Sequence, residues 1–219
     1  MYKELFEANR ELVNLLSSID ATDTSSTDNV ISFLIWQKER NKLFLEETKP
    51  IVIPQRIFEN RLSPFEYDKH SRVLGKYYYR REGAYIKKNI VIDNTDAIYL
   101  LRNMVLIAGK VVWVRFGYNV GREFRGFHPA VILKNIGECL LVAPLTSGAK
   151  DINNSKHIDI SKVYGFELRD RYTDITRIVP ASVYRVDLNN KIGNIPREKL
   201  TEIKSAIVNY WQDKVKFFL

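Results

Sequence analysis

Apolar runs in the second half of the chain predict short β-strands. Three of these runs are rich in β-branched and aromatic side chains, at residues 111–116, 130–133 and 138–143. A short connection with Gly137 near its tip joins the second run to the third and predicts a hairpin. A long polar loop, residues 117–127, joins the first two runs. Alternation predicts three further strands, at residues 157–160, 175–179 and 184–188.

Apolar residues at helical spacing predict four helices. The pattern covers residues 2–19, 30–47 and 97–107, together with a closing segment that begins at Pro196. Proline suits the first turn of a helix, which supports this starting point. A run of Ser, Thr, Asp and Asn at residues 20–29 separates the first two helices and predicts a loop. An antiparallel pair is the simplest arrangement of these two helices.

A second hairpin is predicted between the helix at residues 30–47 and the helix at residues 97–107. Residues 50–71 contain three prolines and no clear period, so we expect an extended connector with short pieces of structure there. Residues 74–80 and 84–92 then flank a turn at Gly83. Tyrosines and cations interleave in this hairpin: Tyr77, Tyr78, Tyr79, Tyr85, Arg80, Arg81, Lys87 and Lys88. They could bind nucleic acid or simply form a half-exposed ribbon, and both interpretations stay open.

Together these elements predict an α+β chain of two domains. Residues 1–105 are expected to form a mainly helical extension with a β-hairpin, and its role is unknown. Residues 106–219 are expected to form a small, partly open antiparallel barrel with the C-terminal helix packed on it. A chain of 219 residues is long enough to bury one or two sizeable cores.

Charge is distributed unevenly between these two parts. Residues 1–100 contain 15 Lys and Arg and 15 Asp and Glu, whereas residues 101–219 contain 19 and 11. The whole net charge of +8 therefore lies in the second half. A basic field of this kind attracts polyanions and makes their association salt-dependent. Solubility alone is the alternative explanation.

Several classes of function lack their usual sequence signals. No apolar run reaches the ~18 to 20 residues that a membrane helix needs. The N-terminus alternates charged and apolar residues and lacks the apolar core of a signal peptide. We therefore expect a cytoplasmic protein without membrane contact. The sequence has no Cys/His cluster for zinc, no Walker-type loop and no G-x-S-x-G motif, so we expect no metal and no cofactor.

The polar groups around the long loop suit phosphate chemistry. They are cationic or hydroxylic: Arg122, Arg125, His128, Thr146 and Ser147. RNA carries its own nucleophile, the 2′-hydroxyl. A protein can therefore cleave RNA by orienting that oxygen, moving protons and stabilising the charged phosphorane. An imidazole that titrates near neutrality suits the proton transfers, and an arginine fork matches the non-bridging oxygens.

This region of the chain, residues 109–147, resembles the PemK/MazF family of toxin endoribonucleases. The family's opening strand corresponds to GKVVWV at residues 109–114, and its G-x-E-x-x-G loop corresponds to GREFRG at residues 121–126. The family strand that ends in P-L/I-T/S corresponds to APLTS at residues 143–147. With a weaker likeness towards the C-terminus, the resemblance covers about half of the chain. One departure concerns the arginine of the family's R-P motif, which is His128 here.

The resemblance implies an SH3-like barrel that cleaves RNA without a metal. The products would end in 2′,3′-cyclic phosphate and 5′-hydroxyl. Thr146 would hydrogen-bond the scissile phosphate, and Arg125 or Arg122 would supply the charge of the missing family arginine. His128 would act as general base or acid in its place. A structural or purely binding role for His128 is the alternative.

Other residues near the loop receive weaker assignments. Glu123 is expected to contribute to RNA binding mainly by bracing the loop. Phe124 and Phe127 could stack on bases, and Ser147 is expected to contact RNA. Arg177 is predicted either to contact the RNA backbone or to form a surface salt bridge.

Three functions stay open. The first is a sequence-selective endoribonuclease toxin that acts on single-stranded RNA, where unstacked bases can be read. The second is a catalytically silent relative that binds nucleic acid. The third is a protein-interaction module, as in gyrase-directed toxins of similar fold. The resemblance also implies a cognate antitoxin protein and a homodimer. Residues 1–105 would be either a built-in cover for the active loop or an accessory domain.

Overall fold

A computed structural model describes most of the chain after residue 50, namely residues 51–59, 62–117, 126–136 and 139–215, and before it residues 31–38 and some isolated positions. The chain divides into two compact units, Met1–Leu45 and Glu46–Leu219. Residues 31–38 of the first unit are helical, as predicted. The rest of the two predicted N-terminal helices lies outside the described residues, apart from isolated helical positions.

Three short helices open the second unit: α1 (Gln55–Glu59), α2 (Pro64–Lys69) and α3 (Ser71–Tyr77). Ser63 caps α2, because its hydroxyl accepts a hydrogen bond from the N–H of Glu66 at 3.2 Å. Leu74 and Tyr77 are buried three residues apart on α3, which is helical spacing. The sequence predicts a strand that begins at residue 74. This starting point is wrong, because the chain is helical through Tyr77.

The predicted second hairpin is confirmed as an antiparallel ribbon. Its strands are β1 (Tyr78–Arg81) and β2 (Ala84–Lys87). Glu82 and Gly83 connect them with φ angles of 53° and 83°. Positive φ at both central residues defines the tight turn whose twist matches that of paired strands. β2 ends at Lys87, five residues earlier than the sequence predicts.

Helix α4 (Asn94–Leu100) continues into a π-helical turn over Leu101–Val105. Asp93 caps this helix, because its carboxylate accepts a hydrogen bond from the N–H of Asp96 at 2.9 Å. The helix predicted over residues 97–107 is thus present, although it begins three residues earlier.

A six-stranded antiparallel sheet follows. Its strands are β3 (Lys110–Gly117), β4 (Gly126–Ile136), β5 (Cys139–Pro144), β9 (Val179–Ser182), β10 (Val186–Asp187) and β11 (Gly193–Asn194). Their order is β10-β3-β4-β5-β9, and β11 also pairs with β3. The three strands predicted from the apolar runs are confirmed as β3, β4 and β5.

A separate three-stranded sheet has the order β6-β8-β7. Its strands are β6 (Thr146–Ser147), β7 (His157–Asp159) and β8 (Arg171–Asp174). β7 confirms one predicted strand. The strands predicted at residues 175–179 and 184–188 instead begin as 3₁₀ turns, Ile175–Arg177 and Val183–Arg185. The side chains of Asp174 and Ser182 accept backbone hydrogen bonds two residues further on, which favours a turn over a strand.

The C-terminal helix α5 (Arg197–Val215) confirms the closing helix. No helix in the described part of the chain is long and apolar enough to cross a membrane. In the β3–β5 region, the six-stranded sheet is buried on both faces. One core joins alternate strand residues such as Val112, Val114 and Ile132 to buried residues between Ile57 and Leu106. The other joins Val111, Val131 and Leu133 to β7 and α5.

These features confirm an α+β chain with antiparallel pairing. The barrel is not confirmed, because the described strands form separate sheets of two, six and three strands that do not close. The chain passes from the six-stranded to the three-stranded sheet at Leu145, between β5 and β6. The domain boundary expected at residues 105/106 stays a prediction.

Candidate functional site

His128 and Thr146 flank the last contact between β4 and β5. Ile132, Val131 and Ala130 of β4 pair in regular register with β5 up to Pro144, and the N–H of Leu145 then donates to the carbonyl of Pro129 at 2.8 Å. A continuation of this register by one residue would set His128 opposite Thr146, while Thr146 itself pairs with Tyr172 in the three-stranded sheet. Because Pro129 has no N–H to return a second hydrogen bond, regular pairing ends at this point.

Strand alternation directs both side chains towards the same face. His128 shares its face of β4 with Ala130 and Ile132, which are buried in the core that includes residues before the sheet. Thr146 follows Val142, which belongs to the same core, by an even number of residues. His128 and Thr146 are both half-buried. They therefore lie at the edge of this core, where the sheet ends.

The long loop begins and ends next to His128. Gly117 and Gly126 lie opposite each other in β3 and β4, with φ angles of +87° and +82° that only glycine adopts readily. A Cβ at Gly126 would lie 3.9 Å from the Nε2 of His128, so the imidazole extends towards this end of the loop. Four predicted site residues lie outside the described residues: Arg122, Glu123, Phe124 and Arg125. Their roles stay predictions.

The structure separates the two hydroxyls that follow β5. Thr146 lies opposite Tyr172 of β8, and Ser147 lies opposite Arg171. Successive strand residues point to opposite faces, so Ser147 does not share the face of Thr146. Ser147 is exposed, whereas Arg171 is buried.

Thr146 shares its face of the three-stranded sheet with a polar cluster. His157 packs on Tyr172 with ring centroids 4.3 Å apart and lies opposite Asp174. The Nε2 of His157 is 3.0 Å from the Nδ2 of Asn154 and 4.0 Å from the Oδ2 of Asp174. One face of this sheet therefore carries the hydroxyl of Thr146, the phenol of Tyr172, the imidazole of His157 and the carboxylate of Asp174.

Arg177 extends this polar cluster through an ion pair. Its Nε lies 3.4 Å from the Oδ2 of Asp174, and its side chain is 39% exposed. The other oxygen of Asp174 accepts hydrogen bonds from the N–H of Thr176 at 2.9 Å and from its hydroxyl at 2.6 Å. The salt bridge considered for Arg177 is therefore present, and its contact with RNA stays a prediction.

An aromatic row lies on the other face of β3 and β4. Trp113 stacks on Phe127 with ring centroids 5.0 Å apart and on Phe166 with centroids 6.3 Å apart. Phe127 is 41% exposed, so the row has one open end. Arg171 lies over Phe166 at 5.8 Å and donates to the carbonyl of Glu167 at 3.0 Å. Burial lowers the pKa of Arg171 below its ordinary value.

The sequence does not single out Trp113, His157 or Tyr172 as residues near the site. The sequence of β8 offers no apolar alternation as a signal, because its buried residues are Arg171 and Thr173 while Tyr172 and Asp174 are only half-buried. The pairing of Tyr172 with Thr146 depends on a contact between distant segments, which no local pattern shows.

The family resemblance is confirmed for the C-terminal part of the chain. Residues 107–210, slightly less than half of the chain, match the family of PemK-like, MazF-like toxins of type II toxin–antitoxin systems. A solved structure, MazF (Form-I) from Deinococcus radiodurans, is similar at 19% identity with a TM-score of 0.40. That match covers 48% of this chain and 94% of the other chain. No curated protein matches.

Residues 107–210 are thus similar to the PemK/MazF toxins, and we call them the toxin-like segment. Toxins of this family are in general endoribonucleases that bind an antitoxin and form dimers. His128 and Thr146 both lie inside the matching segment, and so does the polar cluster.

Proposed function

We propose that this protein is a sequence-selective endoribonuclease that cleaves single-stranded RNA without a metal. The observation that carries the proposal is the hydrogen bond from Leu145 to Pro129, which supports a position of His128 close to Thr146. The family of the matching segment supports RNA as the substrate. The net charge of +8, all of it in the second half of the chain, supports a polyanionic ligand.

The proposed reaction uses the 2′-hydroxyl of RNA as the nucleophile. A base removes the proton of this hydroxyl, the 2′-oxygen forms a bond to phosphorus, and the bond from phosphorus to the 5′-oxygen breaks. An acid then protonates the departing 5′-oxygen. The products carry 2′,3′-cyclic phosphate and 5′-hydroxyl ends, and no water or metal enters the step.

His128 is the proposed proton-transfer group in this reaction. Imidazole can accept or donate a proton near neutral pH, whereas the arginine that the family has at this position cannot. Thr146 donates a hydrogen bond to a non-bridging oxygen of the scissile phosphate. Arg125, or Arg122, stabilises the charge that develops there.

The remaining predicted site residues would bind rather than react. Glu123 braces the loop, Phe124 stacks on a base, and Ser147 contacts RNA from its exposed position. Arg177 contacts the RNA backbone from its ion pair with Asp174. A cognate antitoxin and a second copy of this chain are the expected protein partners, and the SH3-like barrel of the family is the expected full arrangement of the sheets.

Cleavage of mixed RNA in EDTA tests this proposal. The unmutated protein is expected to cleave at neutral pH, and Thr146→Ala is expected to lose most of this activity. Thr201→Ala is the matched control, because Thr201 is exposed on α5 and away from the site. No cleavage by the unmutated protein at any pH between about 5 and 9 would refute the proposal, since an imidazole is active within that range.

Replacing His128 by arginine separates its two possible roles. His128→Arg restores the charge of the family motif and removes the imidazole. If His128 transfers protons, cleavage by the variant falls and its pH profile loses the imidazole limb. If His128 only binds phosphate, the variant cleaves as well as the unmutated protein. Salt-dependent RNA binding without cleavage would indicate the silent relative instead.

A further inference from the structure

The β1–β2 ribbon lies outside the toxin-like segment and is held firmly at its base. Tyr78 is buried, and its carbonyl accepts a hydrogen bond from the hydroxyl of Tyr67 at 3.2 Å. Tyr85 stacks on Tyr67 with ring centroids 4.8 Å apart. The Nζ of Lys88 donates to the carbonyl of Gly75 at 2.7 Å. These contacts hold the face of the ribbon that carries Tyr78 and Tyr85 and leave residues 81–84 at its tip exposed.

The acidic groups near the base are already engaged. The hydroxyl of Tyr77 lies 2.8 Å from a carboxylate oxygen of Asp93 and 2.7 Å from one of Asp96. Lys76 forms an ion pair with Asp96 at 2.7 Å. Burial and these hydrogen bonds raise the pKa of Tyr77, so its phenol stays protonated as a donor. The two carboxylates therefore bind groups of the protein itself.

Cations and one aromatic ring cover the exposed part of the ribbon. Tyr79 and Arg81 lie on one face, and they are 42% exposed and 68% exposed in the side chain, respectively. Arg80 and Lys87 are exposed on the other face. Glu82 is the single acid among residues 78–88, which contain four cations, and it forms an exposed ion pair with Arg81 at 3.5 Å. The ribbon thus combines a stacking surface with excess positive charge.

The ribbon and His128 lie on the same side of the six-stranded sheet. Tyr77 and Tyr78 belong to the core that contains Val114 and Ala130. Val114 is the register partner of His128, and Ala130 shares its face of β4. The cations of the ribbon therefore belong to the same side of the sheet as His128.

We propose that the β1–β2 ribbon is an arm that binds single-stranded RNA outside the toxin-like segment. Tyr79 stacks on an unpaired base, and Arg80, Arg81 and Lys87 neutralise phosphates. Stacking on an exposed ring favours single strands, because their bases are free to turn outwards. The core of a protein-binding surface is depleted of lysine, whereas this ribbon carries Lys87 beside its two arginines. This inference rests on the proposed function for its choice of RNA as the ligand.

Salt-dependent binding tests the arm directly. The probe is a fluorescein-labelled, mixed-sequence 2′-O-methyl oligoribonucleotide, which lacks the nucleophile and stays intact. Each cation in contact with a single strand contributes about 0.7 to the slope of log K against log salt. The triple variant Arg80→Gln, Arg81→Gln, Lys87→Gln is therefore expected to lower the slope by about 2.

A charge-matched variant controls for net charge. Lys191→Gln, Arg197→Gln, Lys204→Gln removes three exposed cations from the C-terminal part of the chain and is expected to leave the slope unchanged. Tyr79→Ala is expected to weaken binding about tenfold at every salt concentration, whereas Tyr79→Phe retains the ring and the affinity. Equal melting temperatures for these variants would show that the fold is intact. Arg81→Gln alone, expected to lower the slope by about 0.7, replaces the triple variant if that variant unfolds.

Two results would overturn the arm. If the slope of log K against log salt is unchanged in the ribbon variants, the ribbon does not bind RNA and a protein becomes its expected partner. Equal losses in both triple variants would also overturn the arm, because binding would then follow net charge alone. RNA cleavage is a separate readout. If the unmutated protein fails to cleave, the proposed function is refuted while the binding result stands by itself.

Discussion

Truncation within the second unit tests whether the toxin-like segment can fold alone. Two shortened chains, residues 46–219 and residues 106–219, provide the comparison. The first keeps the whole compact unit. The second removes almost all of the core that lies before the sheet, including Leu74, Leu100 and Val105, which are fully buried. It therefore uncovers one complete apolar face of the sheet.

The cost of uncovering this face follows from the residues buried there. Eight valine, leucine and isoleucine side chains of the sheet and its connections belong to this core: Val112, Val114, Ile132, Leu140, Val142, Val183, Val186 and Leu188. Burial of each is worth at least about 1.5 kcal/mol, which gives about 12 kcal/mol in total. Whole domains are stable by only about 5–15 kcal/mol. We therefore expect residues 106–219 not to fold as a monomer.

Solubility, size-exclusion chromatography and thermal unfolding distinguish the two truncated chains. Residues 46–219 should be soluble and should unfold cooperatively. Residues 106–219 should aggregate, or should be soluble only as an oligomer that covers the exposed face again. A soluble monomer of residues 106–219 with a cooperative transition would refute this reasoning. It would also support the domain boundary that the sequence places at residues 105/106.

Three further predictions concern single residues. Gly193→Ala should lower the free energy of unfolding by about 1–3 kcal/mol in denaturant titrations. Its added Cβ would lie 2.6 Å from a valine methyl and 2.9 Å from a backbone oxygen. Gly75→Ala is the control and should be neutral or stabilising, because the atom nearest to its added Cβ is 3.7 Å away. The N–H of Asp96 and the hydroxyl of Tyr77 lower the pKa of Asp93, so its contribution to stability is present above pH ~4 and is lost as pH falls further. Asp93→Asn should flatten the acid limb of melting temperature against pH, and an unchanged limb would contradict this assignment. Asp174→Ala should lower stability more than Arg177→Ala. The carboxylate of Asp174 caps a turn, which is worth about 0.5–2 kcal/mol, whereas its exposed ion pair with Arg177 is worth about 0–1 kcal/mol. A larger loss of thermal stability in Arg177→Ala than in Asp174→Ala would contradict this assignment.

Local patterns were sufficient for the elements with one dominant signal. The β-branched runs predict β3, β4 and β5, and Gly83 marks the turn of the ribbon. Pro196 marks the approach to α5, which begins one residue later at Arg197. The motif residues also single out His128 and Thr146, which flank the Pro129–Leu145 hydrogen bond, and their place in the site stays a prediction.

The remaining features depend on contacts between distant segments. Side-chain alternation in β3 and β4 shows that both faces are apolar, but it does not show that residues before the sheet cover one of them. The pairing of Thr146 with Tyr172 arises where the chain changes sheets. Side-chain hydrogen bonds from Asp174 and Ser182 convert two alternating segments into 3₁₀ turns, which the apolar period alone does not reveal.

The central claim is that His128 and Thr146 promote attack of the 2′-hydroxyl of RNA on the adjacent phosphate. The most direct measurement uses an oligoribonucleotide with one cleaved bond and the same oligonucleotide with a single 2′-deoxy substitution at that bond, both in EDTA. We expect the first to give 2′,3′-cyclic phosphate and 5′-hydroxyl ends, and the second to stay intact at that bond. Cleavage of the deoxy bond, or ends with 5′-phosphate, would contradict the claim, because water would then be the nucleophile.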